Sequence, residues 1–153
     1  MVLKQVRKTL ARVVQPKTKN LAVLVDGPNI LRKELGVDLG DIKKALLKLG
    51  NLKIAKVFLN QYASNKLVEA VVNEGFESII TVGDIDVAMG VDATEAIFND
   101  TIHSIVFVTR DSDFLPAIVK AKKYGKETIV VLVDEAAAAA LKNTADSVII
   151  LGR

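Results

Sequence analysis

Ile105-Val106-Phe107-Val108-Thr109-Arg110-Asp111-Ser112-Asp113-Phe114-Leu115-Pro116 is the stretch whose reading decides the fold. A β-branched apolar run ends abruptly in two carboxylates one residue apart, and helix-like spacing follows. Strands buried on both faces read this way, and α/β proteins place their ligands beyond the C-terminal ends of such strands. Two carboxylates this close repel unless a cation or a proton lies between them. Either Ser112 or Asp113 could instead cap the first free amides of a helix running over 113–124. The stretch alone leaves both readings open, so the other strand ends decide between them.

Working outward, the same grammar recurs. Leu21–Val25 is a short buried strand that runs into Asp26-Gly27-Pro28-Asn29. The glycine and proline force a sharp exit, Pro28 suits the first position of a helix, and Asn29 lies one turn from Asp26. Further strands are expected at 52–59, 76–82, 127–133 and 148–151. Helices are expected near 42–49, capped by Asp38 or Asp41, and at 64–74, with Gly50, Gly75 and Gly125 as stops. A third acidic stretch, Gly83-Asp84-Ile85-Asp86-Val87-Ala88-Met89-Gly90-Val91-Asp92-Ala93-Thr94-Glu95, leaves a strand and turns helical through about Phe98. A helix starting near Asp86 puts that residue at its N-terminal end and projects Asp92 from the second turn. Asp84 reads as a loop or cap residue, and Ala88 and Met89 as core. A last helix is expected to hold the alanine run 136–140, which is unlike the rest of the chain and carries no functional weight.

Strand and helix alternate and the strands are almost uniformly apolar. The fold expected is therefore α/β, a mostly parallel sheet of five or six strands covered by helices on both faces. Right-handed crossovers then bring the C-terminal strand ends to one edge. Asp26, Asp111 and Asp113 would share that edge, with Asp86 and Asp92 nearby. No GxGxxG or GxxxxGK[ST] fingerprint occurs, which weakens dinucleotide and P-loop readings.

Composition narrows the chemistry. The 153 residues are 50% hydrophobic, enough for one substantial core. Cysteine is absent, which excludes disulfides, thiol nucleophiles and thiolate metal sites. The lone His103 argues against a histidine zinc site or a Ser-His-Asp triad and reads as a structural or surface residue. A bound metal must be held by oxygens, which points to Mg²⁺ or Mn²⁺. No apolar run is long enough to span a membrane and no signal-peptide core is seen, so a cytoplasmic location is expected.

Charge is distributed unevenly. Residues 1–20 hold Lys4, Arg7, Lys8, Arg12, Lys17 and Lys19 and no acid, whereas the rest of the chain carries a net −3. Leu3, Val6, Leu10 and Val13 fall at helical spacing between those bases. Residues 1–19 thus read as a basic amphipathic helix and linker ahead of a domain over 20–153. Such an arm suits a phosphate-bearing partner, while a solvated helix face is the plain alternative. A homodimer contact and a place in the core packing stay open as well. Aromatic residues make up only 5% of the chain, which gives little stacking surface for single-stranded bases.

Three stretches carry a resemblance: Val25-Asp26-Gly27-Pro28-Asn29-Ile30, Ile85 to Asp92, and Arg110-Asp111-Ser112-Asp113-Phe114. In this order and spacing they resemble the motifs of the NYN domain, including the LabA-like (DUF88) proteins of the PIN-like ribonuclease superfamily. The likeness covers about residues 20–152, and the Thr109–Phe114 form looks most like an archaeal branch. The resemblance implies a Rossmann-like three-layer α/β/α sandwich with an acidic pocket that holds Mg²⁺ or Mn²⁺ through Asp26, Asp92, Asp111 and Asp113, with Asn29, Asp86 and Arg110 supporting. It implies hydrolysis of RNA; Lys4, Arg7, Lys8 and Arg12 of the basic arm, if that helix folds nearby, would hold the backbone. Two departures stand out: Arg110 replaces a common glycine, and Gly83-Asp84 replaces a Lys-Gly pair. A catalytically silent RNA-binding or protein-interaction module on the same fold is the competing reading. A haloacid-dehalogenase-type phosphatase is the third, since Asp111-Ser112-Asp113 has its nucleophile spacing, although late in the chain.

Overall fold

Six strands, all parallel, form one sheet in the order β3-β2-β1-β4-β5-β6 in a computed structural model of the chain. The structure describes residues 18–31, 38–110, 112–133 and 139–151. The elements are β1 (Asn20–Asp26), α1 (Gly27–Ile30), α2 (Leu39–Leu47), β2 (Asn51–Asn60), α3 (Asn65–Asn73) and β3 (Glu77–Thr81), followed by α4 (Ile85–Ile97) and β4 (Ser104–Val108). A 3₁₀ turn at Ser112–Phe114 leads to α5 (Leu115–Lys123), β5 (Glu127–Leu132), α6 (Ala139–Thr144) and β6 (Ser147–Ile150).

Each central strand is apolar on both sides because helices cover both faces. In β1, Leu21, Val23 and Val25 pack into one core with Ile42 and Leu46 of α2 and Val71 of α3. The alternate residues Ala22 and Leu24 pack into a second core with Met89 and Ala93 of α4 and Ile118 of α5. Burying a side chain of this size contributes roughly 1.5–3 kcal/mol, so the two clusters are the main source of stability.

Local chemistry sets the element ends. Asp38 and Asp41 form a reciprocal capping box at α2, and Ser64 Oγ accepts from Leu67 N at 3.1 Å to start α3. Gly75 and Gly125 close α3 and α5 with φ of 86° and 81°, a conformation that side chains disfavour. Gly27 answers a different need: a Cβ there would lie 2.6 Å from both the Phe58 carbonyl oxygen and Leu59 Cδ2. Only glycine lets the exit from β1 pass this close to β2.

The strand order places the switch in winding direction between β1 and β4, which pair directly with Val25 beside Val108. The crevice beyond the carboxyl ends of these two strands is where folds of this kind bind ligands. Asp26 ends one strand. Thr109 and Arg110 follow the other.

The sequence expectations hold for the layering and for every strand, with two local differences. The helix expected from Asp113 starts at Leu115, because Pro116 belongs in a first turn and the preceding residues tighten into the 3₁₀ turn. The helix placed on the alanine run is seen as α6 over Ala139–Thr144, with 134–138 outside the described residues. The basic segment 1–17, including Lys4, Arg7, Lys8 and Arg12, also lies outside them.

Candidate active site

Asp26 is 3% exposed, one of very few buried polar residues among those described. It occupies the N-cap position of α1, yet its side chain makes no capping bond. Instead its Oδ2 accepts from Asn29 Nδ2 at 2.7 Å. An aspartate at a cap position ordinarily bonds the first free amides of its helix. Here the carboxylate is turned to a side-chain amide, which fixes one oxygen and its orientation. Alternation along β1 continues from Ala22 and Leu24, so Asp26 stands on the sheet face covered by α4 and α5.

Across the switch point, Arg110 is half-buried and Asp113 is exposed in the 3₁₀ turn. The cap position of α5 is held by Phe114, which has no side-chain acceptor, so neither Ser112 nor Asp113 stands there. Asp111, expected as a metal ligand, lies outside the described residues. Asp86 sits half-buried in the first turn of α4, and Asp84 takes the cap position of that helix without making a side-chain bond. Both belong to the same sheet edge as Asp26.

Asp92, expected as a further ligand near this edge, makes an ion pair with Lys56 of β2. Its Oδ2 is 3.2 Å from Lys56 Nζ, and both side chains are about one-fifth exposed. Lys56 pairs in register with Leu24, whereas Asp26 pairs with Phe58. Asp92 thus meets the sheet two residues short of the edge that Asp26 occupies. The helix begins at Ile85, which carries Asp92 past the second turn and down along the face of the sheet. Lys56, Asp92, Glu95, Asn99, Leu24 and Ile54 line a cavity of about 260 Å³ there.

Lys56 was not singled out from sequence. The signal was available: in Ile54-Ala55-Lys56-Val57-Phe58, Lys56 shares the strand face of Ile54 and Phe58. A lysine on a covered face requires an acidic partner.

A second set of polar and ionic contacts lies at the opposite edge of the sheet and is structural. His103 Nδ1 accepts from Asn20 N at 2.9 Å. Glu127 accepts from Lys19 at 2.9 Å and from Ser104 Oγ at 2.8 Å, and chiefly the Lys19 bond holds its carboxyl below the ordinary range. Asp146 is lowered chiefly by the backbone N–H of Thr128, which donates to it at 2.8 Å.

The donor set at the Asp26 edge suits a hard divalent cation, since it offers carboxylates and an amide and no sulfur or imidazole. Among the described residues no group of three acidic or histidine side chains forms a complete cage. Mg²⁺ ordinarily needs only one or two carboxylates, with water and substrate phosphate completing the sphere. The residues present therefore fit such an ion.

A doubly covered parallel sheet with an acidic switch point defines the class: a Rossmann-like, PIN-like α/β domain. The chain belongs to the NYN domain family, whose profile matches residues 20–152. NYN domains are generally nucleases. An uncharacterized protein of Methanocaldococcus jannaschii is 54% identical over 132 residues, covering 86% of this chain and 55% of that protein. The chain thus spans about half the length of the curated relative it matches. A solved structure from Streptomyces avermitilis, provisionally assigned to the HAD family of hydrolases, superposes with a TM-score of 0.50 at 15% identity, covering 87% of this chain and 78% of that one. At that identity the likeness speaks for the sheet architecture alone. No described helix is long and apolar enough to cross a membrane.

Proposed function

We propose that the chain is a metal-dependent ribonuclease that hydrolyses RNA phosphodiesters at the β1/β4 edge. The observation that carries this reading is Asp26: a buried carboxylate at a switch point, in a cap position it does not use, oriented by Asn29. Asp26 and Asp111 would hold Mg²⁺ or Mn²⁺, with Asp113 and Asp86 on the rim. When bound, the ion supplies Lewis-acid stabilisation of the phosphoryl oxygens and a water of lowered pKa. Asn29, which donates to Asp26 Oδ2, would set the direction of the carboxylate. Arg110 brings a planar cation beside the acids, suited to a phosphate. The basic segment holding Lys4, Arg7, Lys8 and Arg12 would add sequence-independent attraction for the backbone. Asp92 serves this reading indirectly, by fastening α4 to β2 through Lys56.

The competing reading is a silent RNA-binding module, and the Lys56–Asp92 pair is what favours it, since it engages one of the expected acids. Calorimetry with Mn²⁺ and cleavage of single-stranded RNA, on the chain and on Asp26→Asn and Asp111→Asn, separate the two. Metal-dependent cleavage that is lost in both folded variants is expected. RNA binding without cleavage under any divalent ion would leave the silent module.

A further inference from the structure

The aromatic side chains of this chain are few, but they are sorted by place. Phe58, Phe107 and Phe114 are fully buried, and Phe76 is nearly so. Phe98 and Tyr124 meet edge to face with centroids 4.9 Å apart. They stand at the ends of α4 and α5, by the edge of the sheet opposite the acids. Tyr62 is left over, and at 84% exposure it is the most exposed large hydrophobic side chain among the described residues.

Its location is specific. β2 is the neighbour of β1, and Tyr62 follows β2 by two residues on the edge where β1 ends in Asp26. The short link to α3 is pinned: Tyr62 N donates to Asn60 Oδ1 at 3.0 Å, and Ala63 N to the Asn60 carbonyl at 3.1 Å. Val82, 80% exposed, follows the next strand end, where Thr81 pairs with Asn60. The exposed Lys66 lies in the first turn of α3. Strand spacing and rise put Tyr62 roughly 10–15 Å from Asp26. An aromatic face, an apolar flank and a cation on a fixed loop match an unpaired base followed by its phosphate.

We infer that Tyr62 is a base-stacking platform for single-stranded RNA, adjoining the acidic edge, with Lys66 meeting the neighbouring phosphate. This deepens the nuclease reading and rests on it for the identity of the edge. The site reads strandedness rather than sequence, because any unpaired base offers a ring face.

The test needs no cleavage, so it can fail separately from the nuclease reading. Binding of a fluorescein-labelled twelve-nucleotide oligouridylate and of an RNA duplex is measured by anisotropy in EDTA. The full chain is compared with Tyr62→Ala, Tyr62→Phe and Lys66→Gln. Tyr62→Ala is expected to weaken single-strand affinity about ten-fold and Tyr62→Phe less than about two-fold, with duplex affinity unchanged. Lys66→Gln should reduce the salt dependence of binding. The chain has no tryptophan and two tyrosines, so tyrosine emission is a direct second readout. Oligouridylate should quench it in Tyr124→Phe and leave it unquenched in Tyr62→Phe. Wild-type affinity in Tyr62→Ala, or equal losses for duplex and single strand, would overturn the inference. So would a change in mass by light scattering without a change in RNA affinity, which would mark Tyr62 as a protein contact.

Discussion

Lys56 Nζ and Asp92 Oδ2 stand 3.2 Å apart and join the centre of β2 to the third turn of α4. The pair lies on the flank of the sheet, where α4 is the covering helix and a cavity opens beside it. An ion pair about one-fifth exposed is worth more than a surface pair and less than a fully buried one. Lys56→Met should lower unfolding stability by about 1–2 kcal/mol through the unpaired Asp92 carboxylate. Lys56→Met with Asp92→Leu should recover most of it. A urea-unfolding cycle over the four proteins measures the coupling, and a coupling near zero would show the pair to be incidental.

At the Asp26 edge, Asn29→Ala removes the amide that holds Oδ2. Groups that orient a metal-binding carboxylate typically matter by 10–100-fold. Cleavage by Asn29→Ala should fall by about that factor, together with Mn²⁺ affinity, while stability drops by about 1 kcal/mol. Asn29→Asp, which substitutes a second charge for a donor, should be no better. Calorimetry and initial rates on the same samples decide.

Two glycines give opposite expectations. Gly27→Ala forces a Cβ against the Phe58 carbonyl, which is backbone and cannot step aside. A loss of roughly 1–3 kcal/mol is expected. Gly90 sits inside α4 with nothing within 4 Å of where a Cβ would be. Gly90→Ala should therefore stabilise by about 0.5–1 kcal/mol. Thermal unfolding of the two variants side by side checks both signs.

Part of the acid sensitivity should arise far from the candidate site. Asp146 and Glu127 both have carboxyls held below their ordinary values of 3.8 and 4.5. A lowered pKa in the folded chain means that the stabilisation is complete above those values and is lost as pH falls through the folded ones. The urea midpoint should therefore be flat between pH 7 and 5 from these groups and decline below about pH 4.5. Thr128→Val, which removes the hydroxyl bonded to Asp146 at 3.1 Å, should make that decline shallower. A decline of unchanged steepness would assign it to other acids.

The layering, the strands and most caps were legible because they depend on local chemistry. β-branched runs mark strands, Asp38 offers a cap and the glycines mark stops. Strand order was not legible, since an apolar run does not name its neighbours. Without the order, the β1/β4 switch point could be expected only as a shared edge. The ion pair of Asp92 was not legible, because its partner, Lys56, was hidden in a strand. Pro116 could have corrected the start of α5. Tyr62 was missed for a simpler reason: a low aromatic content says nothing about where the few rings stand.

The central place of β1 has a consequence for how the chain is made. β1 can pair with β2 as soon as residue 60 is available, but its other side waits for residues 104–108. At ordinary synthesis rates that leaves an apolar strand edge open for several seconds, a period in which chaperones or neighbouring chains compete for it. The same delay separates Asp26 from the segment carrying Asp111 and Asp113. On the proposed reading, the candidate site would stay unassembled beside the chain's own messenger until the second half of the chain has emerged and closed the sheet.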